Sequence, residues 1–368
     1  YWRNDVRPSV MGITDDIKSQ RALFAKKFVQ DTGAMMLGPL CWIGNELHLF
    51  DHLASQEDGF TYKEFATVTK CNERYLQEWL HAMACATWVE YDKETKKFSL
   101  PKEHQMFLVR ENNPNFAGNC FNAFRIFNEC APKYLDCFQN GGGLSLDEIH
   151  PDIGGVVEAF TGSTQKFRVA PLIKDFIPDL HDRLTQGIIA ADVGCGVGHA
   201  VVALAKLYPN SKFFGFEPHG ASYLRAKANV LDTFGDEPCN VEIVQETSAG
   251  LAPGNFDLIM TWDVVHDLVD PHGFLKDVFN GIKEDGLYLM NEVPASSEFE
   301  ENMNENYTLA YALSTLYCTT VSLAGGGPGY GACMGDRVSQ ELCTTAGFTS
   351  FTTIPRPCPL RIHLVKKQ

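Results

Sequence analysis

The segment Asp192-Val-Gly194-Cys195-Gly196-Val-Gly198 follows an apolar run, Ile189-Ala-Ala, and precedes a helical pattern opening near His199. Such a run reads as a buried parallel strand. Glycines at alternate positions make a tight turn into the helix and, lacking Cβ atoms, let a ligand approach the backbone. A second apolar run, Phe213-Phe-Gly-Phe216, ends in Glu217. An acid at the carboxyl end of the neighbouring strand can accept both hydroxyls of a ribose. Together these residues predict a nucleoside-cofactor site at the switch point of an open α/β sheet. The spacing is GxGxG, not the GxGxxG that seats a pyrophosphate on a helix N-terminus, which disfavours a nicotinamide dinucleotide. The loop Gly325-Gly-Gly-Pro-Gly-Tyr-Gly331 lacks the Lys-Ser/Thr pair of a P-loop, so no nucleoside triphosphate is expected there.

Two later strands end in groups able to move protons. Phe256–Trp262 leads into Asp263-Val-Val-His266-Asp267, and another run leads into Asn291-Glu292-Val-Pro294. Carboxyl ends of parallel strands share one sheet edge, so His266 and Glu292 are expected to converge beside the glycine loop. A neutral imidazole can take a proton from a hydroxyl, while a carboxylate fixes its tautomer and stabilises the imidazolium. The competing reading makes His266 a loop histidine bonded to the N-terminus of a helix starting near Asp270-Pro271.

These residues need a scaffold. From residue 184 onward strands and helices alternate, with strands near 188–193, 212–217, 241–245, 256–262 and 286–292, as a parallel sheet covered on both faces requires. Phe351–Ile354 and Leu360–Leu364, joined by Pro355-Arg-Pro-Cys-Pro359, read as a closing hairpin at the sheet edge. Residues 1–110 read as mainly helical: one helix from Ile13-Thr14-Asp15 towards Thr32, a second from Met35 through Trp42 to Leu53, a capping box at Thr61-Tyr-Lys-Glu64, and a helix bearing Tyr75, Leu76, Trp79, Leu80 and Met83. Trp88–Asp92 and Lys97–Leu100 flank a polar turn as in a hairpin, which makes a winged helix. Its exposed positions, Glu73, Arg74, Gln77, Glu78 and His81, are too acidic for a major-groove reader. The apolar helix Met35–Ile43 is expected either to pack against a partner chain or to form its own domain's core. Bridging helices fill 111–183, with Phe121, Phe124, Phe127 and Tyr134 at helical spacing. A long helix, Glu298–Ser322, is expected to offer Asn302, Asn306, Tyr307, Tyr311, Ser314 and Tyr317 to a substrate. The glycine loop after it reads as a lid or a plain connection.

The chain has 368 residues, 45% of them hydrophobic, enough for two domains. A net charge of −15 argues against nucleic acid or an anionic membrane as partner. No 18-residue apolar run is present, the cysteines lack metal-ligand spacing, and no metal is expected. With no secretory segment at the beginning of the sequence, a cytoplasmic setting with reduced thiols is expected.

The segment around Asp192 resembles motif I of class I S-adenosylmethionine-dependent methyltransferases. Nearly the whole chain is similar to the two-domain small-molecule O-methyltransferases, which include the plant phenolic enzymes and acetylserotonin methyltransferase. Ile43–Phe50, Glu73–Trp79 and Asp192–His199 look closer still to a winged-helix branch found in actinobacteria and some eukaryotes. The resemblance implies a Rossmann-like α/β domain with a seven-stranded, mostly parallel sheet behind the winged helix, and a homodimer. It implies S-adenosylmethionine held by Asp192, Gly194, Cys195, Gly196, Gly198 and Glu217, with Pro218, Ser248, Ala249 and Asp263, and S-adenosylhomocysteine as product. It carries the general-base role onto His266, the orienting role onto Glu292, and a part in catalysis onto Asp267. Asn302, Asn306, Tyr307, Tyr311 and Phe127 are the expected substrate contacts. The chain departs from the plant enzymes at Leu268, where they carry Trp, and at Glu246-Thr-Ser248-Ala249, where they carry an Asp-Met element. O-methylation of a small molecule is favoured. N- or S-methylation with His266 only positioning the acceptor, a non-catalytic cofactor-binding regulator, and a nicotinamide oxidoreductase are the alternatives.

Overall fold

Residues 15–110, 113, 115–151, 153–355 and 360–368 are described by a computed structural model. They divide into two units, Tyr1–Arg125 and Ile126–Gln368. The first unit holds α1 (Asp15–Glu46), α2 (Leu49–Ala54), α3 (Tyr62–Thr69), α4 (Glu73–Cys85), a two-residue-per-strand hairpin of β1 (Glu90–Tyr91) and β2 (Phe98–Ser99), and α5 (Lys102–Leu108). Where the sequence suggests two helices meeting near Gly33, a single helix runs through to Glu46. A glycine costs a helix interior about 1 kcal/mol, too little to end one on its own. The break falls instead at His48, in the left-handed region at φ 55°. Ile13 and Thr14 lie outside the described residues.

Side-chain caps and one dense core fix this unit. Thr61 Oγ1 accepts from the Glu64 amide while Glu64 Oε2 accepts from the Thr61 amide at 2.8 Å, so the capping box forms in both directions. Leu76, Trp79, Leu80 and Met83 of α4 are buried against Phe50 and Phe65, and Trp79 Nε1 donates to Leu40 O at 2.9 Å. Tyr75, at helical spacing with them, points out instead. Arg74 is paired with Glu78 one turn away. On α1, Phe24, Phe28, Met35 and Met36 are all exposed.

The second unit begins within α6 (Phe121–Asn140) and continues through α7 (Leu146–Ile149), α8 (Ile153–Phe167), α9 (Val169–Phe176) and α10 (Pro178–Gln186). Then come β3 (Ile189–Val193), α11 (His199–Leu207), β4 (Lys212–Phe216), α12 (Gly220–Phe234), β5 (Val241–Val244), β6 (Phe256–Trp262), α13 (Pro271–Gly281) and β7 (Ile282–Glu292). Helices α14 (Thr308–Leu313), α15 (Thr319–Ala324) and α16 (Gly335–Ala346) precede β8 (Ser350–Thr353) and β9 (Arg361–Lys366). The sheet order is β5-β4-β3-β6-β7-β9-β8. Strands β3 to β7 pair in parallel, and β9 runs antiparallel to β7 and β8. The closing hairpin forms as expected, although positions 356–359 of its connector lie outside the described residues. Leu258 and Met260 of β6 enter one core and Ile259 the other, so helices cover both faces. The order reverses at β3, between β4 and β6, and that crevice takes the ligand in open α/β sheets.

The expected helix Glu298–Ser322 is broken. Asn302 and Asn304 tie their side chains to the Ser296 and Asn306 amides, leaving only single 3₁₀ turns before Tyr307. From Thr308 the chain is helical to Ala324, through a π turn at Ser314–Cys318. Replacing the capping Thr61 by Ala should cost the first unit about 0.5–2 kcal/mol of stability, to be read as a lower midpoint in denaturant unfolding.

Candidate cofactor and active site

At the switch point the turn after β3 takes a conformation that only glycine adopts easily. Gly194, Gly196 and Gly198 have φ of 74°, 56° and 78°. A Cβ on Gly194 would come within 3.0 Å of Val264, whereas one on Gly196 would meet nothing within 4 Å and would project into open space. Glu217 Oε2 accepts from the Gly196 amide and Oε1 from the His219 amide, both at 2.8 Å. The carboxylate thus braces the turn from the end of β4. Burial is the chief cause that raises the Glu217 carboxyl above its usual range, against these two amides.

Asp192, next to last in β3, is a fully buried acid whose two carboxylate oxygens have no partner among the described residues. Burial first, then the nearby Glu217 charge, pushes its carboxyl up to about 8. An orphaned buried carboxylate beside an open glycine turn is a site built for a donor that arrives with a ligand.

The second cluster forms where β6 and β7 end. Glu292 Oε1 accepts from the Val265 amide at 3.0 Å, and Oε2 is hydrogen-bonded to His266 Nδ1. His266 and Glu292 are both buried. The Cys318 thiol also contacts the imidazole. Burial alone would lower the His266 pKa, but the Glu292 carboxylate and Cys318 outweigh it, so the proton is held more tightly than on a free imidazole. Asp263 sits at φ 57°, exchanges backbone contact with Asn291, and accepts from Asn291 Nδ2 at 3.0 Å. Burial, reinforced by Glu292, brings the Asp263 carboxyl up to about 7, and burial, partly opposed by His266, does the same for Asp267.

Both clusters open on one cavity of about 570 Å³ in the second unit, within the roughly 300–1,000 Å³ typical of small-molecule sites. Gly194, Cys195, Gly196, Glu217, Pro218 and Asp263 line it, as do His266, Asp267, Phe127 and Asn306. Glu292 stands behind His266. Gly198 opens α11, where a Cβ would crowd Ala226. Ser248 donates to Asp277 at 2.7 Å, and Ala249 belongs to the same 3₁₀ turn; neither lines the cavity. Asn302, Tyr307 and Tyr311 lie off it too: Asn302 bonds Ser296 and the Tyr311 hydroxyl, and Tyr307 donates to Pro294 O. Of the other residues expected there, Tyr317 reaches the wall from the π turn, joined by Cys318, and Ser314 does not. Helix α8 adds a polar clamp absent from the sequence reading: Glu158 accepts from His199 at 2.8 Å and pairs with Arg225. Trp262, whose indole N–H is buried without a partner, also reaches the cavity. Trp262 could have been found from its place at the end of β6; the α8 residues carry no motif.

Residues 191–288 match the family model described as a methyltransferase domain, and residues 34–110 match that of an Rv2258c-like winged HTH domain. Residues 191–288, which carry the glycine turn, Glu217 and His266, thus form a methyltransferase domain. Among solved structures, the mitomycin 7-O-methyltransferase superposes with a TM-score of 0.69 at 16% identity, over 95% of this chain and all of that one. Human N-acetylserotonin methyltransferase in complex with SAM gives 0.67 at 17% identity, over 93% and 97%. A tRNA U34 carboxymethyltransferase from Campylobacter jejuni is 20% identical over 190 residues, 52% of this chain. The chain spans just over half the length of these curated relatives. Among the described residues, no helix is long and apolar enough to cross a membrane, and no cluster of His, Cys, Asp or Glu could hold a metal ion.

The methyltransferase domain's buried acid carries a linkage consequence. An unfolded Asp192 ionises near 4 and the folded one near 8, so the unfolded chain sheds its proton first as pH rises. Its contribution to stability is therefore lost between about pH 4 and pH 8. Asp192→Asn should flatten that part of the pH dependence and raise the thermal midpoint of the ligand-free protein near neutral pH, measured by scanning calorimetry across the window.

Proposed function

We propose that this chain transfers a methyl group from S-adenosylmethionine to a small molecule, with oxygen the favoured acceptor atom and His266 the general base. The observation that carries the reading is His266, held from behind by buried Glu292, on the same cavity as the glycine turn and Glu217, with the orphaned Asp192 carboxylate buried beside that turn. The residues fit the cofactor. Gly194–Gly196 leave backbone exposed to a flat ligand, Glu217 has the place of a ribose acceptor, and Asp192 lacks the donor that an α-ammonium group would provide. S-adenosylmethionine, when bound, supplies a methyl group activated by its sulfonium.

The protein's own residues do the rest. His266 has Nδ1 committed to Glu292, so Nε2 is the nitrogen left to take a hydroxyl proton. Glu292 holds the ring orientation and compensates the positive charge that develops as the proton arrives. Its second oxygen, bound to the Val265 amide, keeps the carboxylate itself from swinging. The walls exclude water and align the acceptor, which for an in-line displacement is most of the protein's contribution. The exposed apolar face of α1 supports a homodimer through the first unit, and Phe28→Glu with Met35→Glu should then yield monomers in sedimentation.

A nucleic-acid acceptor, suggested by the carboxymethyltransferase similarity, is disfavoured by the net charge of −15. Binding of S-adenosylmethionine and S-adenosylhomocysteine by titration calorimetry, abolished by Glu217→Ala, tests the cofactor; no binding to the unsubstituted chain sinks the reading. His266→Ala should cut turnover by about 100-fold or more while leaving cofactor affinity intact. Glu292→Gln removes the charge that raises the His266 pKa. The acidic limb of the pH–rate profile should therefore move to lower pH as the maximal rate falls.

A further inference from the structure

The cavity wall is lopsided in charge. Four acids line it, Glu158, Glu217, Asp263 and Asp267, and among the described residues it holds no lysine or arginine. Glu158 is offset by Arg225 and His199. Glu217 is satisfied by two backbone amides and Asp263 by Asn291. Asp267 lines the cavity with a carboxyl that takes a hydrogen bond from its own backbone amide and is paired with no lysine or arginine among the described residues. The lining histidines are committed as well, His266 to Glu292 and His219 to Ser222. Much of the remaining wall is apolar, supplied by Phe127, Phe160, Val293, Leu309, Leu313 and Val321.

We infer that the acceptor is an uncharged or cationic, largely apolar molecule, and that this cavity refuses acceptors bearing a carboxylate or phosphate. The inference rests on the methyltransferase reading and narrows it to a substrate class. An anionic group entering the cavity must shed its water and finds no lysine or arginine in exchange, while the lining imidazole of His266 is already paired with Glu292. Above about pH 7 it also meets Asp263 and Asp267 as carboxylates of its own sign, which discriminate by repulsion rather than by a missing contact. A neutral acceptor loses little, since its apolar body exchanges water for side chains. An amine gains, because Asp267 presents a carboxyl that no lysine or arginine of the wall pairs. The same wall turns away a polynucleotide backbone, whose binding is built on Lys and Arg contacts.

The test uses the full chain saturated with S-adenosylhomocysteine, so that binding is read apart from turnover. Matched triplets are titrated by calorimetry: phenol, 2-naphthol and 5-hydroxyindole, each alone, with an added carboxylate, and with an added aminomethyl group. In at least one triplet the neutral and amine members should bind, and the carboxylate should be about tenfold weaker or more. Leu309→Arg places a cation at a wall position that is 51% exposed and carries no core packing; it should bring the carboxylate to within a few-fold of the neutral member. Carboxylates binding as tightly as their neutral partners overturn the inference. So does the absence of binding by every member to a protein that still takes up S-adenosylhomocysteine, and so does a Leu309→Arg variant that leaves the carboxylates as weak as before. Loss of S-adenosylhomocysteine binding itself would instead overturn the proposed function.

Discussion

One carboxylate holds the reactive end of this domain together. Glu292, at the last position of β7, grips the Val265 amide with one oxygen and the His266 ring with the other. Both partners lie in the short turn after β6, so a single buried side chain fixes the exit of one strand to the end of the next. Without it the turn would keep its connection but lose the orientation of the imidazole. A buried pair of this kind is costly to assemble and more costly to half-dismantle, because the surviving charge has no water to turn to. The pair, with His266 on the cavity wall and Glu292 behind it, is better understood as positional than as a source of stability.

The glycine turn obeys the opposite logic. Its residues are bound by backbone, by Glu217 and by Asn229, which donates to Val197 O, and beside them Asp192 is buried without a partner among the described residues. The folded chain thus carries a desolvated acid that a close-packed interior would not choose, which is how binding sites are set apart from cores. Stability spent at Asp192 is recovered elsewhere, in the two apolar layers that cover both faces of the sheet.

Most of this plan could be read from the residues. The five parallel strands fall within a few positions of their expected bounds, save that β7 begins earlier, because runs buried on both faces are nearly continuous in apolar residues. The convergence of His266 and Glu292 followed from strand direction alone. What escaped were features in which local side-chain bonding overrides periodicity. Asn302 and Asn304 break a helix that the spacing of Tyr307, Tyr311 and Ser314 seemed to continue. They thereby turn Asn302 and Tyr311 towards each other and away from the cavity. In the first unit, a Gly33 that looked like a boundary was absorbed by a helix with enough good formers on either side. The wall contributed by α8 was invisible for another reason: Glu158, His199 and Arg225 are far apart in sequence and meet only through tertiary packing.

The π turn at Ser314–Cys318 has a consequence for how such a pocket can change over evolutionary time. A π turn amounts to one extra residue in an α-helix. Because the turn absorbs that residue locally, deleting it would leave the flanking helices facing as before and change only which side chains of Ser314–Cys318 reach the wall. Tyr317 and Cys318 would leave the wall and their neighbours would take their places, with no substitution at either position. Acceptor choice in this lineage can therefore be rewritten by a change of chain length, a route that comparison of aligned side chains would miss.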